Sequence, residues 1–283
     1  MEIIRATRYA GFCGGVKRAW KLATQEAATA AGPVFISGKL IHNTPAMQEL
    51  EAMGIRVLDV SNAADVAPGT PFVLRAHGEG PTVYRQAEQL GLRLIDGTCG
   101  IVRNVQKRAR TLEEHGFQVV LFGHRNHPEA RATVAHTEHG IIVESADEAA
   151  QLGHYPKIAA IAQTTSSARE YVEVCRILRD RCDLFEDQGH ICDFTQRAQE
   201  EAAGIAARVD AMVVVGGRDS SNTRRLVEVC SEHCPTYQVE TAEELQTAWL
   251  GGISSVGVTA GASTRDQDID AVIARLNVMS SEC

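Results

Sequence analysis

One order of events recurs three times along the chain and constrains its fold more than any other feature. A cysteine in a turn is followed by an amphipathic helix, an apolar strand, a polar loop, a second helix and a further polar loop at a strand end. After Cys13 come a predicted helix near 16–30, the strand Val34-Phe35-Ile36-Ser37 and the loop His42-Asn43-Thr44-Pro45. After Cys99 come a helix near 102–115, a strand over 118–122 and the loop Asn126-His127-Pro128-Glu129. After Cys192 come a helix near 196–209, a strand over 211–215 and the loop Ser220-Ser221-Asn222-Thr223. His42 lies 29 residues beyond Cys13, His127 lies 28 beyond Cys99 and Ser220 lies 28 beyond Cys192. The second polar loops, Ala76-His77-Gly78, Gln163-Thr164-Thr165 and Gly261-Ala262-Ser263, place His77, Thr164 and Ser263 at 64, 65 and 71 residues from the same cysteines.

Strands alternating with helices of this length imply parallel sheets joined by crossover helices, the α/β class. Three small α/β units related by pseudo-threefold symmetry are expected: 1–96 with Cys13, 97–190 with Cys99 and 191–283 with Cys192, the strand near 72–75 closing the first and a terminal helix near 269–278 packing back on it. Ligands of parallel sheets bind beyond the carboxyl ends of the strands, so three cysteines and six polar loops are expected around one central cluster cavity. With 44% hydrophobic and 23% charged residues, 283 residues suffice for two or three small cores. A net charge of −8 opposes nucleic-acid binding, which needs a concentrated positive surface. The longest apolar runs, such as 158–162 and 211–215, fall far short of the roughly 20 residues of a membrane span. The start, Met1-Glu2-Ile3-Ile4-Arg5, lacks a signal-peptide apolar core, so a cytoplasmic location is expected.

A reducing compartment turns attention from disulfides to metal or catalysis for the eight cysteines, none of which forms a CxxC pair. The three repeat cysteines sit in the turns Gly11-Phe12-Cys13-Gly14-Gly15, Gly97-Thr98-Cys99-Gly100 and Ile191-Cys192-Asp193. A helix amino terminus favours the thiolate, and glycines let backbone N–H groups approach inorganic sulfide. Taken singly, each reads as well as a small buried residue; coincidence in three repeats favours a shared metal centre. Zinc on three cysteines and a histidine competes, but structural zinc sites draw on short knuckles that are absent here. An iron–sulfur cluster on three cysteines is preferred, its open iron site available as a Lewis acid. Cys175, Cys182, Cys230, Cys234 and Cys283 have no matching partners across the repeats and receive no role.

The loops offer His42, His77, His127, Thr164, Thr165, Ser220, Ser221, Asn222 and Ser263, donors suited to phosphate oxygens at helix starts. Each serine or threonine is equally a helix cap, and Ser263-Thr264-Arg265-Asp266 and Ser167-Ala168-Arg169-Glu170 read as capping boxes. The histidines also suit proton transfer near neutral pH. Glu129 is the one carboxylate of the set, two residues after His127, and is the candidate proton donor; its alternative role is a first-turn acid favouring the helix dipole.

Jointly and in order, these motifs are specific. The chain resembles the 4-hydroxy-3-methylbut-2-enyl diphosphate reductases, last enzymes of the methylerythritol phosphate route to isoprenoid precursors, over essentially its whole length. The resemblance is carried by Gly11-Phe12-Cys13 with Gly15-Val16-Lys17-Arg18-Ala19, Ile41-His42-Asn43, Ala76-His77-Gly78, Thr98-Cys99 and Asn126-His127-Pro128-Glu129. It continues through Ala162-Gln163-Thr164-Thr165, Ile191-Cys192, Ser220-Ser221-Asn222-Thr223-Arg224-Arg225-Leu226, Glu240-Thr241-Ala242-Glu243-Glu244-Leu245-Gln246 and Thr259-Ala260-Gly261-Ala262-Ser263. It implies one [4Fe–4S] cluster on Cys13, Cys99 and Cys192 and removal of an allylic hydroxyl with two electrons and two protons, yielding isopentenyl and dimethylallyl diphosphates. It implies a diphosphate held by His42, His77, His127, Ser220, Ser221, Asn222 and Ser263, and a catalytic set of Glu129, His127, Thr164 and Thr165.

The chain departs from the family pattern at Gly97 and Gly100, where alanine and proline are usual. Ala132 stands for a glycine, Ala198 for an arginine and Arg265 for a proline. These changes bear on loop stiffness, cluster potential and substrate preference, so a divergent homologue acting on another phosphorylated allylic alcohol is an alternative. A cluster-bearing sensor without turnover and a zinc-stabilised phosphate-binding module are others. No GxGxxG fingerprint is present, so electrons are expected from an external carrier such as a ferredoxin or flavodoxin. Arg103, Lys107, Arg108 and Arg110 offer it a basic patch, or form a solvated helix face.

Overall fold

The computed structural model describes residues 1–63 and 65–282, without the side chain of Glu282; Cys283 lies outside the described residues. Two compact units are formed, one from residues 1–17, 41–49 and 193 onward, the other from 18–40 and 50–192. Elements are numbered in chain order.

The first unit holds one parallel sheet in the order β1 (Glu2–Arg5), β12 (Ser255–Ala260), β10 (Ala211–Val215), β11 (Thr236–Val239). Alternation along β10 sorts its side chains between two cores. Val213 and Val215 join Val256, Val258 and Ala260 beneath Ile269, Val272, Leu276 and Met279. Those four, spaced by three or four residues, form one face of α10 (Asp266–Glu282). Met212 and Val214 face Ala198, Ala202 and Ile205 of α8 (Asp193–Ala206) and Leu226 and Cys230 of α9 (Ser221–Ser231). With helices on both faces, every residue of β10 is buried.

The second unit holds two parallel sheets. One runs β3 (Ile55–Val57), β2 (Val34–Ile36), β4 (Pro71–Leu74), β5 (Arg93–Asp96). The other runs β7 (Ile141–Val143), β6 (Gln118–Phe122), β8 (Tyr155–Ala162), β9 (Cys182–Asp187). In the former, Phe72 and Leu74 pack on Ala87 of α3 (Pro81–Gln89). In the latter, Val119 and Leu121 meet Val105, Ala109 and Leu112 of α4 (Gly100–Glu114), while Val120 and Phe122 meet Val174, Cys175 and Leu178 of α7 (Ala168–Arg179). The remaining helices are α1 (Gly14–Thr29), α2 (Thr44–Ala52), α5 (Pro128–Val134) and α6 (Ala146–Ala150). No helix among the described residues is long and apolar enough to cross a membrane.

The α/β class with three parallel sheets is as expected, and β6 and β10 have the predicted bounds. Helices α4 and α8 begin two and three residues earlier than periodicity suggested, because each starts directly after its cysteine. The sheets cut the repeat at a different phase from the cysteine-first order. The strands leading into the cysteines, β1, β5 and β9, lie beside β12, β4 and β8. The chain's first strand therefore completes the sheet of its last segment, and α10 packs on a core that includes Ile3. Strand β1 gave no sequence signal because none of its four residues is fully buried and no apolar run marks it.

Leu121 is fully buried in the β6 layer. Leu121→Ala should lower stability by about 2–5 kcal/mol, read as a lower urea midpoint by circular dichroism.

Candidate functional site

Each unit carries part of the predicted set, built on loops at the carboxyl ends of neighbouring strands. One hydrogen bond is common to all three cysteines: its backbone N–H donates to a carbonyl in the loop after the adjacent strand. Cys99 donates to Ala76 at 3.0 Å and Cys192 to Thr164 at 2.9 Å, both in the second unit, and Cys13 to Ala262 at 3.1 Å in the first. Each acceptor is, or directly precedes, a predicted polar ligand: His77, Thr164 or Ser263. Cys99 is the N-cap of α4 and makes no side-chain cap bond; its carbonyl accepts from Arg103 N–H at 2.9 Å, as that of Cys13 does from Lys17 N–H. Cys13, Cys99 and Cys192 are half-buried, and none of the seven described cysteines is in a disulfide.

In the second unit the side chains form a continuous series. The rings of His77 and His127 meet edge to face at 5.2 Å between centroids. His127 caps α5, its Nδ1 accepting from Glu129 N–H at 3.2 Å, which leaves Nε2 as the nitrogen able to carry a proton. Glu129, only 3% exposed, takes the Thr164 N–H on Oε1 at 2.6 Å and lies 3.0 Å from the Thr164 hydroxyl through Oε2. Burial pushes its pKa from 4.5 up to about 7, against the lowering effect of the two Thr164 bonds. Thr165, half-buried, receives a bond from Gln163 Nε2 at 2.8 Å.

In the first unit, Ser220 caps α9, its Oγ accepting from Thr223 N–H at 3.3 Å. Ser221 Oγ, both amide heteroatoms of Asn222 and Ser263 Oγ are buried without a hydrogen-bond partner among the described residues. Each such atom costs about 1–3 kcal/mol when nothing satisfies it, so together they mark a polar ligand position. The loops after β10 and β12 are in contact: Gly261 N–H donates to Val215 O, Thr264 Oγ1 donates to the same carbonyl, and Gly216 and Gly261 leave no room for a Cβ beside Thr223. A Cβ on Gly217 would lie 2.0 Å from the His42 carbonyl oxygen, so that glycine lets the His42 loop close on the loop after β10.

Sequence reasoning missed the groups that hold these loops. Gln163 bridges two of them, accepting from His124 N–H at 3.0 Å while donating to Thr165. Tyr171 and Asp187 anchor the approach to Cys192. The phenol donates to Asp187 Oδ1 at 2.6 Å, Gly189 N–H donates to the same oxygen at 3.1 Å, and a Cβ on Gly189 would strike the Tyr171 ring at 2.2 Å. The motif Ala162-Gln163-Thr164-Thr165 contained the first of these; a lone tyrosine on a helix offered no signal. Of the departures, Gly97 lies under the Leu74 carbonyl with no room for a Cβ, Gly100 faces open space, and Ala132 and Ala198 are buried. On α4, Arg103 pairs with Asp96 at 2.8 Å, Arg108 with the Gln188 carbonyl and Arg110 with Glu114, so its charges are largely engaged locally. Cys175 and Cys230 are core residues whose thiols burial pushes up to about 11 and about 12.

The donor set suits an iron–sulfur cluster. Beside Cys13 and Cys99, Gly14 and Gly100 have nothing within 4 Å of a Cβ position, so bulky inorganic atoms meet no side chain there.

The family model described as LytB protein matches residues 3–277. A 4-hydroxy-3-methylbut-2-enyl diphosphate reductase of Geobacter sulfurreducens is 41% identical over 98% of this chain and 97% of its own length. A solved structure of (E)-4-hydroxy-3-methyl-but-2-enyl diphosphate reductase, described as the terminal enzyme of the non-mevalonate pathway, is 34% identical, with a TM-score of 0.73 over 98% of this chain and 100% of that one. A solved reductase from Plasmodium falciparum is 25% identical, with a TM-score of 0.91 over 98% of this chain and 88% of that one.

The raised pKa of Glu129 sets a stability window. Below pH 4.5 the folded and unfolded forms are both protonated; between 4.5 and about 7 only the unfolded chain ionises, so stability falls as pH rises, and it levels off above. That gap is worth about 3 kcal/mol at about 1.4 kcal/mol per pH unit. In Glu129→Gln this component should vanish, seen as a flatter dependence of urea midpoint on pH from 4.5 to 7.

Proposed function

The chain belongs to the LytB family, and we propose from that membership how its residues remove the allylic hydroxyl of 4-hydroxy-3-methylbut-2-enyl diphosphate. Two electrons and two protons release water and leave isopentenyl or dimethylallyl diphosphate. The observation that carries this reading is Glu129: a buried acid whose proton persists near neutral pH, in contact with a hydroxyl and beside a histidine.

Cys13, Cys99 and Cys192 would hold a [4Fe–4S] cluster by their thiolates. When bound, the cluster supplies the electrons and an open, Lewis-acidic iron. The chain's own residues do the rest. Ser221, Asn222 and Ser263 offer unsatisfied donors to diphosphate oxygens. The amino terminus of the eleven-residue α9 adds its partial positive charge. Ser220, accepting a backbone bond on its oxygen, keeps its own hydrogen to donate, and His42, His77 and His127 complete the grip. Fixing both phosphates orients the allylic end.

Protonated Glu129 donates to Thr164 Oγ1, whose own hydrogen then turns toward the substrate; the 3.0 Å contact serves either direction. A proton passed along this pair is replaced on Glu129 from solvent, and His127 Nε2 gives a second donor. Thr165, tied to Gln163, holds the neighbouring loop. Electrons come from an external carrier, a ferredoxin or flavodoxin, in the cytoplasm, since the chain has no dinucleotide fingerprint of its own.

Anaerobic purification with iron and sulfide analysis, followed by single turnover of the dithionite-reduced protein, tests this directly. About four irons per chain and both C5 diphosphates are expected; stoichiometric zinc without iron would overturn the assignment. Glu129→Gln should lower kcat by about 10²–10⁴. In the wild type, kcat/KM should fall above pH about 7 as Glu129 loses its proton, and the variant should lack that limb.

A further inference from the structure

Arg265 follows Ser263 by two residues and is drawn into the first unit, its side chain only 12% exposed. Its guanidinium grips Asp268 with two parallel bonds, Nε to Oδ2 at 3.0 Å and a terminal nitrogen to Oδ1 at 2.6 Å. The other terminal nitrogen pairs with Glu49 on α2. Asp268 in turn accepts from Asn43 Nδ2 at 3.4 Å. Asn43 is 2% exposed and caps α2, its Oδ1 accepting from Ala46 N–H at 2.8 Å. The fork of one arginine therefore links the Ser263 loop, through Asp268 and Asn43 and directly through Glu49, to the segment that begins with His42.

We propose that Arg265 is a positioning residue for the diphosphate grip, holding the His42–Asn43 segment in register with the Ser263 loop. Ser263 Oγ is one of the unsatisfied donors, and the preceding Ala262 carbonyl takes the Cys13 N–H. Displacement of either loop changes the spacing of groups that must meet one rigid anion. A planar fork fixes angle as well as distance, which a lysine's single ammonium does not. The proposal rests on the diphosphate reading above, and its test separates the two.

Pyrophosphate binding to the cluster-loaded protein would be measured anaerobically by titration calorimetry for wild type, Arg265→Met, Arg265→Lys and Glu49→Gln, alongside their KM, kcat and iron contents. Arg265→Met should weaken pyrophosphate binding and raise KM by roughly tenfold, with kcat within about twofold and iron unchanged, the pattern of lost alignment at a distance from the reacting bond. Arg265→Lys should recover part of the loss, and Glu49→Gln, which spares the Asp268 fork, should show a smaller shift in the same direction. Wild-type protein that binds no pyrophosphate overturns the diphosphate grip and this proposal with it. Wild-type binding that Arg265→Met and Glu49→Gln leave unchanged overturns the clamp alone. Loss of iron and kcat in Arg265→Met, with no binding change in Glu49→Gln, assigns Arg265 a purely structural role and also overturns it.

Discussion

The hydrogen bond from each cysteine amide to the loop beside it is the contact on which the rest of the site depends. A parallel sheet places successive strand ends side by side, about 4.8 Å apart. The cysteine leaves one strand end and the polar ligand leaves the next. Joining them through backbone fixes the cysteine relative to the polar residue of the neighbouring loop whatever side chains surround them, and the bond recurs in all three sheets at 2.9–3.1 Å. Each donor also stands immediately before a helix. Sheet order, helix start and the placing of the three cysteines are thus tied to one feature of the chain.

Glu129 illustrates the balance between burial and hydrogen bonding. Two bonds from Thr164 stabilise the carboxylate, yet removal from water outweighs them and keeps the proton on. His127 at the N-cap and Pro128 at the first helical position fix where α5 starts, and with it Glu129 in the first turn. Glu129 and Thr164 meet because β6 and β8 are neighbours in register, with Phe122 opposite Ala162.

Much of this was legible in the sequence because repeat spacing is a property of chain length between strand ends. The three-sheet α/β class and the central strands β6 and β10 follow from it. The pairing of β1 with β12 was not legible, since a four-residue, half-exposed strand carries no alternation strong enough to read. Neither were the anchors. Tyr171, Gln163 and Arg265 act across 16, 39 and 216 residues of chain, and no local pattern encodes such partners. Their signals are chemical and appear only when burial is known.

In the proposed diphosphate grip, Ser220, Ser221, Asn222 and Ser263 carry no charge, and the nearby arginines are committed elsewhere: Arg265 to Asp268 and Glu49, Arg218 to Glu244 and Arg225 to Glu228. Substrate and products carry the same diphosphate, so a grip on it binds both alike and cannot by itself accelerate the reaction. Full positive charges in a low-dielectric pocket would tighten that shared binding and retain product. A grip of hydroxyls, an amide, histidines and a helix terminus, as proposed, would align the anion at lower cost to release. On that reading, discrimination falls to the end of the substrate that changes, where the proposed proton donors, Glu129 and Thr164, have a departing oxygen to serve in the substrate and none in the product.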